Sequence, residues 1–361
     1  MATKILHVIA RMNVGGTARY VSELVERIPD SRLATGFVQG LEIEDPYVKN
    51  LQVIRIRSMG RKISPVNDFF SWIELRKIIK EVKPEIVHTH TFKAGLIGRL
   101  IGGQHMRVHT FHGHLIDDQS FSRIGKIFIT LAERYLANRT DLLISVGKKV
   151  GIELRAQRIG ADRDWVSIPP GVEPLLKIDK TIARATLGLK QDAVLVGWLA
   201  RMAPVKNPTL LLEVARKLPS VTFVMAGGGD LLASIKSNAP KNVLVLGWID
   251  AAAFWSAVDC AISTSDNEGM PISLIEAQLS GLAGIATDVG SNSEIIENEV
   301  TGFITSKDTY ALIAATKKLM ENKKLRDSMG ARAKEKASSN FNIKKMITMH
   351  SDSYKRLNFR K

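Results

Sequence analysis

Short apolar runs alternate with stretches of helical periodicity along almost the whole chain, and no other feature limits the fold as strongly. In the first half, strands are expected over residues 4–9, 52–56, 85–88, 107–110 and 141–146. Helices are expected over residues 18–27, 69–81, 94–101 and 123–137. Such alternation produces parallel sheets joined by crossover helices. A short strand then reaches Ile168-Pro169-Pro170-Gly171-Val172, which can continue neither element and marks a boundary. Behind it the pattern restarts. Strands are expected over 194–199, 222–226, 243–246, 260–264, 284–287 and 303–305, and helices over 208–217, 231–237, 251–257 and 272–280. A chain of 361 residues is also long for one core. The reading is an α/β protein of two Rossmann-like domains, residues 1–170 and 171–340. A Lys-rich helical end, residues 341–361, follows. Two such domains facing one another form a cleft at the carboxyl ends of their strands.

No apolar run approaches the ~18–20 residues that span a bilayer. The apolar start, Met1 to Ala10, has no small-residue cleavage site and runs into Gly15-Gly16, so a first buried strand is expected there and not a signal peptide. The one cysteine, Cys260, excludes an internal disulfide framework and reads as an inert buried thiol. Cytoplasmic residence is the expectation. The formal charge of +15 splits almost evenly, +8 over residues 1–175 and +7 over the rest. An excess spread in this way suits anionic ligands and anionic lipid surfaces. Few aromatics and no recognisable module speak against nucleic acid.

The most informative segment runs from Ser265 to Ser291. It places Glu268 just before a helix and Glu276 about one and a half turns inside it. Pro271 suits the first helical position, and Gly281 suits the left-handed residue that closes the far end. At ~1.5 Å per residue the two carboxylates lie roughly 8–12 Å apart along the axis. That is too far to share a proton. It suits gripping two ends of an extended ligand whose negative middle rests on the helix N-terminus.

This segment, with Gly-Met-Pro after Glu268 and then Glu-Ala-Gln-Leu-Ser-Gly, resembles the E-x7-E region of family 4 retaining glycosyltransferases of the two-domain GT-B fold. The resemblance implies that Glu268 holds the donor sugar and Glu276 the nucleotide ribose. The backbone N–H groups of Gly269, Met270 and Ile272 would then face the diphosphate. Arg201 and Lys206, after the strand at 194–199, resemble the family's cationic pair. They depart from it with Ala200, Val205 and Asn207 as neighbours. Fixed cations there would stabilise the charge growing on the leaving phosphate. The run Gly227-Gly228-Gly229-Asp230 borders the nucleotide in such enzymes; as plain chemistry it is equally a tight turn with Asp230 as helix cap. Gly15-Gly16-Thr17 is a glycine turn at a helix start, suited to an anion. By resemblance, Gly15, Gly16 and Gly228 belong to the donor site and Thr17 to the acceptor side. The last helix of such enzymes crosses back onto the first domain, which is expected here of residues 346–357.

Seven of the eight histidines fall within the first 114 residues. His88-x-His90 ends one strand, and His109-Thr-Phe-His112-Gly-His114 ends the next. The latter resembles a family motif carrying an active-site histidine, which maps onto His112. His90 and His114 become acceptor-side candidates, and His88 and His109 structural ones. Zinc held by these imidazoles is the physical alternative. No carboxylate or thiol lies in a ligand pattern beside them, and Asp117-Asp118 do not fit a metal motif, so a metal-independent enzyme without cofactor is expected.

The resemblance implies a retaining hexosyltransferase with Glu268, Arg201, Lys206 and His112 at the reaction. The donor would be a nucleotide-diphosphate sugar, UDP first and GDP next. The acceptor would be a sugar hydroxyl on a polyprenyl-diphosphate carrier, in bacterial surface polysaccharide synthesis. Arg61-Lys62 and the helix with Phe69, Phe70 and Trp72 suggest peripheral docking on the inner face of the plasma membrane. A sugar-nucleotide 2-epimerase and a non-catalytic basic protein that binds lipid or nucleic acid are the alternatives.

Overall fold

The computed structural model describes residues 3–40, 42–60, 62–113 and 122–358. Arg61, His114, Asp117 and Asp118 lie outside the described residues. The chain divides into two compact units. The first is Met1–Gly171 together with Ile343–Lys361, and the second is Val172–Asn342.

The first unit is built on seven parallel strands: β1 (Ile5–Ile9), β2 (Ser31–Thr35), β3 (Val53–Arg55), β4 (Ile86–His90), β5 (Met106–Phe111), β6 (Leu142–Ser145) and β7 (Trp165–Ser167). Their order is β3-β2-β1-β4-β5-β6-β7. The helices are α1 (Gly16–Arg27), α2 (Pro65–Val82), α3 (Phe92–Arg99), α4 (Arg123–Ala137) and α5 (Lys148–Ala156). The chain works outward from β1 to β3, jumps back across β1 to β4, then continues to β7. Right-handed crossovers put α1 on one face of the sheet and α2 to α5 on the other. The apolar contacts agree: Val21 and Val25 of α1 pack with Ile9, while Leu75 and Ile79 of α2 and Ile97 of α3 pack with Leu6 and Val8. A last helix, Ile343–Asn358, returns to this unit and packs beside α1.

The sequence reading omits β2. Its sequence, Ser-Arg-Leu-Ala-Thr, carries no strong strand pattern, and its stability comes from pairing with β1 on one side and β3 on the other. Helix α2 starts at Pro65, a turn before the expected residue 69, because Pro is tolerated in a first turn and the Asp68 carboxylate accepts the N–H of Ser64.

The second unit has six parallel strands: β8 (Leu195–Leu199), β9 (Thr222–Ala226), β10 (Val243–Gly247), β11 (Cys260–Ser263), β12 (Ala283–Thr287) and β13 (Gly302–Thr305), ordered β10-β9-β8-β11-β12-β13. Its helices, numbered on from the first unit, are α6 (Lys180–Thr186), α7 (Pro208–Lys217), α8 (Leu232–Asn238), α9 (Ala251–Ala257), α10 (Ile272–Leu279), α11 (Asn292–Ile295), α12 (Thr309–Glu321) and α13 (Lys323–Asn340); the returning helix is α14. Cys260 is fully buried in β11, and burial pushes its thiol up to about 12, so it stays protonated.

Two helix starts differ from expectation. Pro271 is the N-cap of α10 and not its first residue: its ψ of 116° is extended, and the helical turn begins at Ile272. The cap of α8 is Leu231, one residue beyond Asp230. At the other end of α10, Gly281 is left-handed, with φ of +82°. The Leu282 N–H reaches the Ala277 carbonyl and the Gly281 N–H that of Gln278, the paired closure that a left-handed residue permits.

Candidate active site

Ligands of open parallel sheets bind beyond the carboxyl ends of the strands, where the strand order reverses. In the second unit that point lies between β8 and β11. The loop after β8 carries Arg201 and Lys206, and the loop after β11 carries Ser265 to Met270. Three contacts hold the two loops in register. The Asp266 N–H bonds the Val205 carbonyl at 2.9 Å. Thr264 Oγ1 donates to the Asn207 carbonyl at 2.9 Å and accepts from Trp198 Nε1 at 3.0 Å. Asn207 Nδ2 donates to Asp266 Oδ1 at 3.2 Å.

In this frame Lys206 Nζ lies 2.6 and 2.7 Å from the two oxygens of Glu268. Ser265 Oγ donates to Glu268 Oε1 at 2.7 Å. Glu268 is buried, with a side-chain exposure of 6%, whereas Lys206 keeps 23%. A buried carboxylate needs such partners, because an unpaired one costs several kcal/mol. The ammonium is thus neutralised from one side and still reachable from the other. Expectation assigned these two groups separately to phosphate and sugar; the structure makes them one pair.

The backbone behind Glu268 is closely packed. The Ser291 N–H bonds the Gly269 carbonyl at 3.0 Å, and Thr287 Oγ1 bonds the Ser265 carbonyl at 2.6 Å. Gly290 has φ of +47°, and a Cβ there would sit 1.8 Å from the Glu268 carbonyl oxygen. Only glycine fits so close to this backbone. Gly269, Met270 and Ile272 follow at the start of α10, where the first N–H groups have no intrahelical acceptor. Glu276 is buried in the second turn of α10. The glycine run after β9 lies against the Arg201 loop: the Met202 N–H bonds the Gly228 carbonyl at 2.7 Å, and a Cβ on Gly229 would meet Arg201 Cγ at 3.1 Å. Arg201, Lys206, Gly228, Glu268 and Glu276 therefore belong to one end of one sheet.

In the first unit the reversal lies between β1 and β4. Gly15 caps α1 just beyond β1, followed by Gly16 and Thr17, and Gly15 and Gly16 are exposed. Beside them stands a cluster of imidazoles that the sequence reading saw only in part. His7 of β1 is in register with His88 of β4, and His90 with Thr110 of β5. Side chains alternate along a strand, so His7, His88, His90, Thr110 and His112 share the face toward α1. Tyr20 of α1 and His350 and Tyr354 of α14 cover it. His109 points to the other face, where its Nδ1 bonds Thr89 Oγ1 at 2.8 Å.

Three of these rings form a chain: His7 Nδ1 to His90 Nε2 at 3.1 Å, and His90 Nδ1 to His112 Nε2 at 3.2 Å. Burial lowers the pKa of His7 and His112 to about 3 and that of His90 well below its ordinary value, so all three are neutral. His7 Nε2 has no partner. An orphaned donor costs more than an orphaned lone pair on an imidazole, so His7 carries its proton on Nδ1 and donates to His90. His90 then donates from its own Nδ1 to His112. His112 is left with a proton on Nδ1, so that nitrogen is a donor.

Ring nitrogens of His7, His88 and His90 all fall within 4.8 Å of one another, the one such group among the described residues. The 3.1 Å between His7 and His90 fits the ~3.3 Å expected of two tetrahedral zinc ligands. The third ligand fits less well, since both His88 nitrogens are bonded at 2.7 Å, to Tyr354 and Thr110. His7, Tyr20, His350 and Tyr354 were all missed from sequence. Their signals were a histidine inside an apolar strand and a His/Tyr pair four apart on one helix face.

Two parallel α/β units with this pair of switch-point sites have the architecture of the GT-B glycosyltransferases. The model of the family described as Glycosyltransferase Family 4 matches residues 14–174, and that described as Glycosyl transferases group 1 matches residues 179–336. The chain belongs to these glycosyltransferases. It is 28% identical over 375 residues, covering 97% of this chain and 96% of the other, to UDP-Gal:alpha-D-GlcNAc-diphosphoundecaprenol alpha-1,3-galactosyltransferase of Escherichia coli. It is 28% identical over 312 residues, 79% of each chain, to the putative glycosyltransferase EpsF of Bacillus subtilis. Among solved structures, HepE of Anabaena in complex with UDP and glucose superposes with a TM-score of 0.83 at 18% identity, covering 98% of this chain and 100% of that one. Sucrose-phosphate synthase of Thermosynechococcus elongatus gives 0.84 at 18%, covering 99% and 100%.

Proposed function

We propose that this glycosyltransferase moves a hexose, with retention, from a UDP-sugar to a hydroxyl of a sugar carried on a polyprenyl diphosphate, in the building of a bacterial surface polysaccharide. The observation that carries the reading is the Lys206–Glu268 pair at the switch point of the second sheet. A cation beside a carboxylate suits the phosphate and the hydroxyls of a sugar diphosphate. The donor and acceptor in the name of the Escherichia coli relative supply the chemical class of both substrates.

Glu276 takes the ribose and Glu268 the sugar hydroxyls. Arg201, Lys206 and the first N–H groups of α10 take the diphosphate. The acceptor hydroxyl attacks the anomeric carbon on the face from which the diphosphate departs. The bond from that carbon to the phosphate oxygen breaks, the new glycosidic bond forms, and the hydroxyl proton passes to the leaving phosphate oxygen. Charge gathers on that phosphate, so Arg201 and Lys206 act more strongly in the transition state than before it. No step is assigned to a metal. His112 offers its Nδ1–H to a sugar hydroxyl, and Gly15 and Thr17 line the first unit's end of the reaction; His90, expected there, is fully buried with both ring nitrogens bonded and orients His112 instead.

Thermal unfolding with UDP, GDP and ADP tests the donor site. A ligand at ~100 times its dissociation constant adds about 2.7 kcal/mol of stability. Stabilisation by UDP that is lost in Glu276→Ala supports the reading. Equal effects of all three nucleotides, or none, count against it. Turnover of the UDP-sugar without an acceptor would favour an epimerase instead.

A further inference from the structure

Among the described residues, helix α4 carries a largely uncovered apolar face, with the Arg139 guanidinium 4.8 Å over the Tyr135 ring. Ile124, Ile127, Phe128, Leu131 and Tyr135 are each between 52% and 69% exposed. Their spacing of three, four, seven and eleven residues from Ile124 puts them on one stripe. The opposite stripe is anchored: Ile129, Leu136 and Ala137 are buried, and Glu133 pairs with Arg99 of α3 at 2.7 Å. The helix is therefore held by its inner face, and the outer one is largely uncovered among the described residues.

The charges on α4 are one-sided. Arg123 and Arg134 flank the apolar stripe and Arg139 lies just past its end, whereas Lys126, seven residues before Glu133, lies on the side of the helix away from the stripe, where Glu133, the one acid, faces inward. A second apolar patch belongs to the same helical layer. Val66, Phe69 and Phe70, in the first two turns of α2, are 51% to 66% exposed. Helix α3 lies between α2 and α4 and is tied to both, through Lys93 to Asp68 at 2.7 Å and through Arg99 to Glu133. In a parallel sheet each crossover helix begins at the carboxyl end of the strand before it. The exposed first turns of α2 and α4 therefore lie toward the end of the first unit that holds His112 and the glycine turn.

We infer that the outer face of α4, extended by the first turns of α2, docks on an anionic lipid bilayer. The apolar stripe enters the boundary between head groups and acyl chains, and Arg123, Arg134 and Arg139 meet the lipid phosphates. The occupant follows from charge complementarity: a large apolar stripe rimmed by cations, with no accessible acid on the helix. No helix among the described residues is long and apolar enough to cross a membrane, so the helix lies along the surface. This inference rests on the proposed lipid-linked acceptor and deepens it. An enzyme docked in this way has the carboxyl end of its first sheet near the bilayer, where a polyprenyl diphosphate presents its sugar.

Co-sedimentation of the full chain with vesicles of phosphatidylethanolamine and phosphatidylglycerol, against phosphatidylcholine alone, tests it. Binding is expected on the anionic vesicles and to weaken as salt rises. The double variant Ile127→Ser with Phe128→Ser is expected to lose about a hundredfold in binding. Arg123→Gln with Arg139→Gln is expected to lose about thirtyfold and part of the salt dependence. All four side chains are accessible, so circular dichroism and thermal unfolding should match wild type. Wild type that ignores both vesicles, or an apolar variant that binds as wild type does, overturns the inference. So does a wild-type dimer that the apolar variant turns into monomer, since a second copy would then own the face. A GlcNAc diphosphate on a short, water-soluble alkyl chain separates the two readings. Transfer to it without vesicle binding sinks the docking surface alone. Vesicle binding lost in the apolar variant, with no transfer to any acceptor by wild type, sinks the proposed reaction alone.

Discussion

Acidification from pH 7 to pH 5 is expected to unfold the first unit and spare the second. All eight histidines of the chain lie in the residues of the first unit. His7 is fully buried, and burial lowers its pKa from 6.5 to about 3. The unfolded chain takes up a proton at this ring near pH 6.5, whereas the folded unit refuses it until near pH 3. The contribution to stability is therefore whole above pH 6.5 and is lost progressively as pH falls toward 3. At pH 5 the loss from His7 alone is about 2 kcal/mol, since each unit of pH below the unfolded value is worth ~1.4 kcal/mol. His88, His90, His109 and His350 are shifted the same way, also by burial first. All act in the same direction, against a domain stability of only ~5–15 kcal/mol. Hydrogen exchange read by mass spectrometry, with intrinsic rates corrected for pH, follows peptides of β4 and β5 against those of β11 and β12. Loss of protection in the first pair before the second is the expected result. Equal loss in both, or full protection of β4 at pH 5, would refute the assignment of these rings as neutral and shielded from water.

Two further outcomes concern the second unit. Glu268→Gln keeps an acceptor for Ser265 and releases Lys206, so UDP should bind as well as to wild type or up to about tenfold more tightly, while sugar transfer falls by about a hundredfold. Lys206→Met should instead weaken UDP and cost ~3–5 kcal/mol of stability, because it strands a buried carboxylate; calorimetric titration and thermal unfolding check both, and equal losses of UDP affinity in the two variants contradict the pairing. Gly290→Ala drives a methyl into the Glu268 carbonyl at a left-handed position and should cost about 2–4 kcal/mol and weaken UDP; an alanine variant as stable as wild type would show that this backbone has room to move.

The alternation of elements was legible because buried parallel strands are nearly continuous apolar runs, and all six strands of the second sheet could be read that way. Strand β2 was not, since only Leu33, Ala34 and Thr35 of its five residues are buried and its neighbours supply the rest. Glu268 and Lys206 could be picked out by type and position. Their pairing could not, because 62 residues separate them and only the order of β8 beside β11 brings their loops together. The histidine cluster was half visible. His88 and His90 announce themselves by a two-residue period, whereas His7, Tyr20 and His350 are joined to them only through the sheet and the packing of α1 and α14. The apolar face of α4 was written in the spacing of its residues, and that spacing alone cannot say whether a stripe faces a core or is left bare.

Helix α14 sets a schedule for the newborn chain. The first unit needs Tyr354 and His350 to close over His88 and Tyr20, and a ribosome makes these after the whole of the second unit. By then every strand of the second unit has left the tunnel and can fold. The first unit is thus completed only after the second has been made, with a histidine-lined face open to water in the interval. A truncation that removes only α14 should leave the distant second unit intact and damage the first, although the missing segment adjoins the second along the chain.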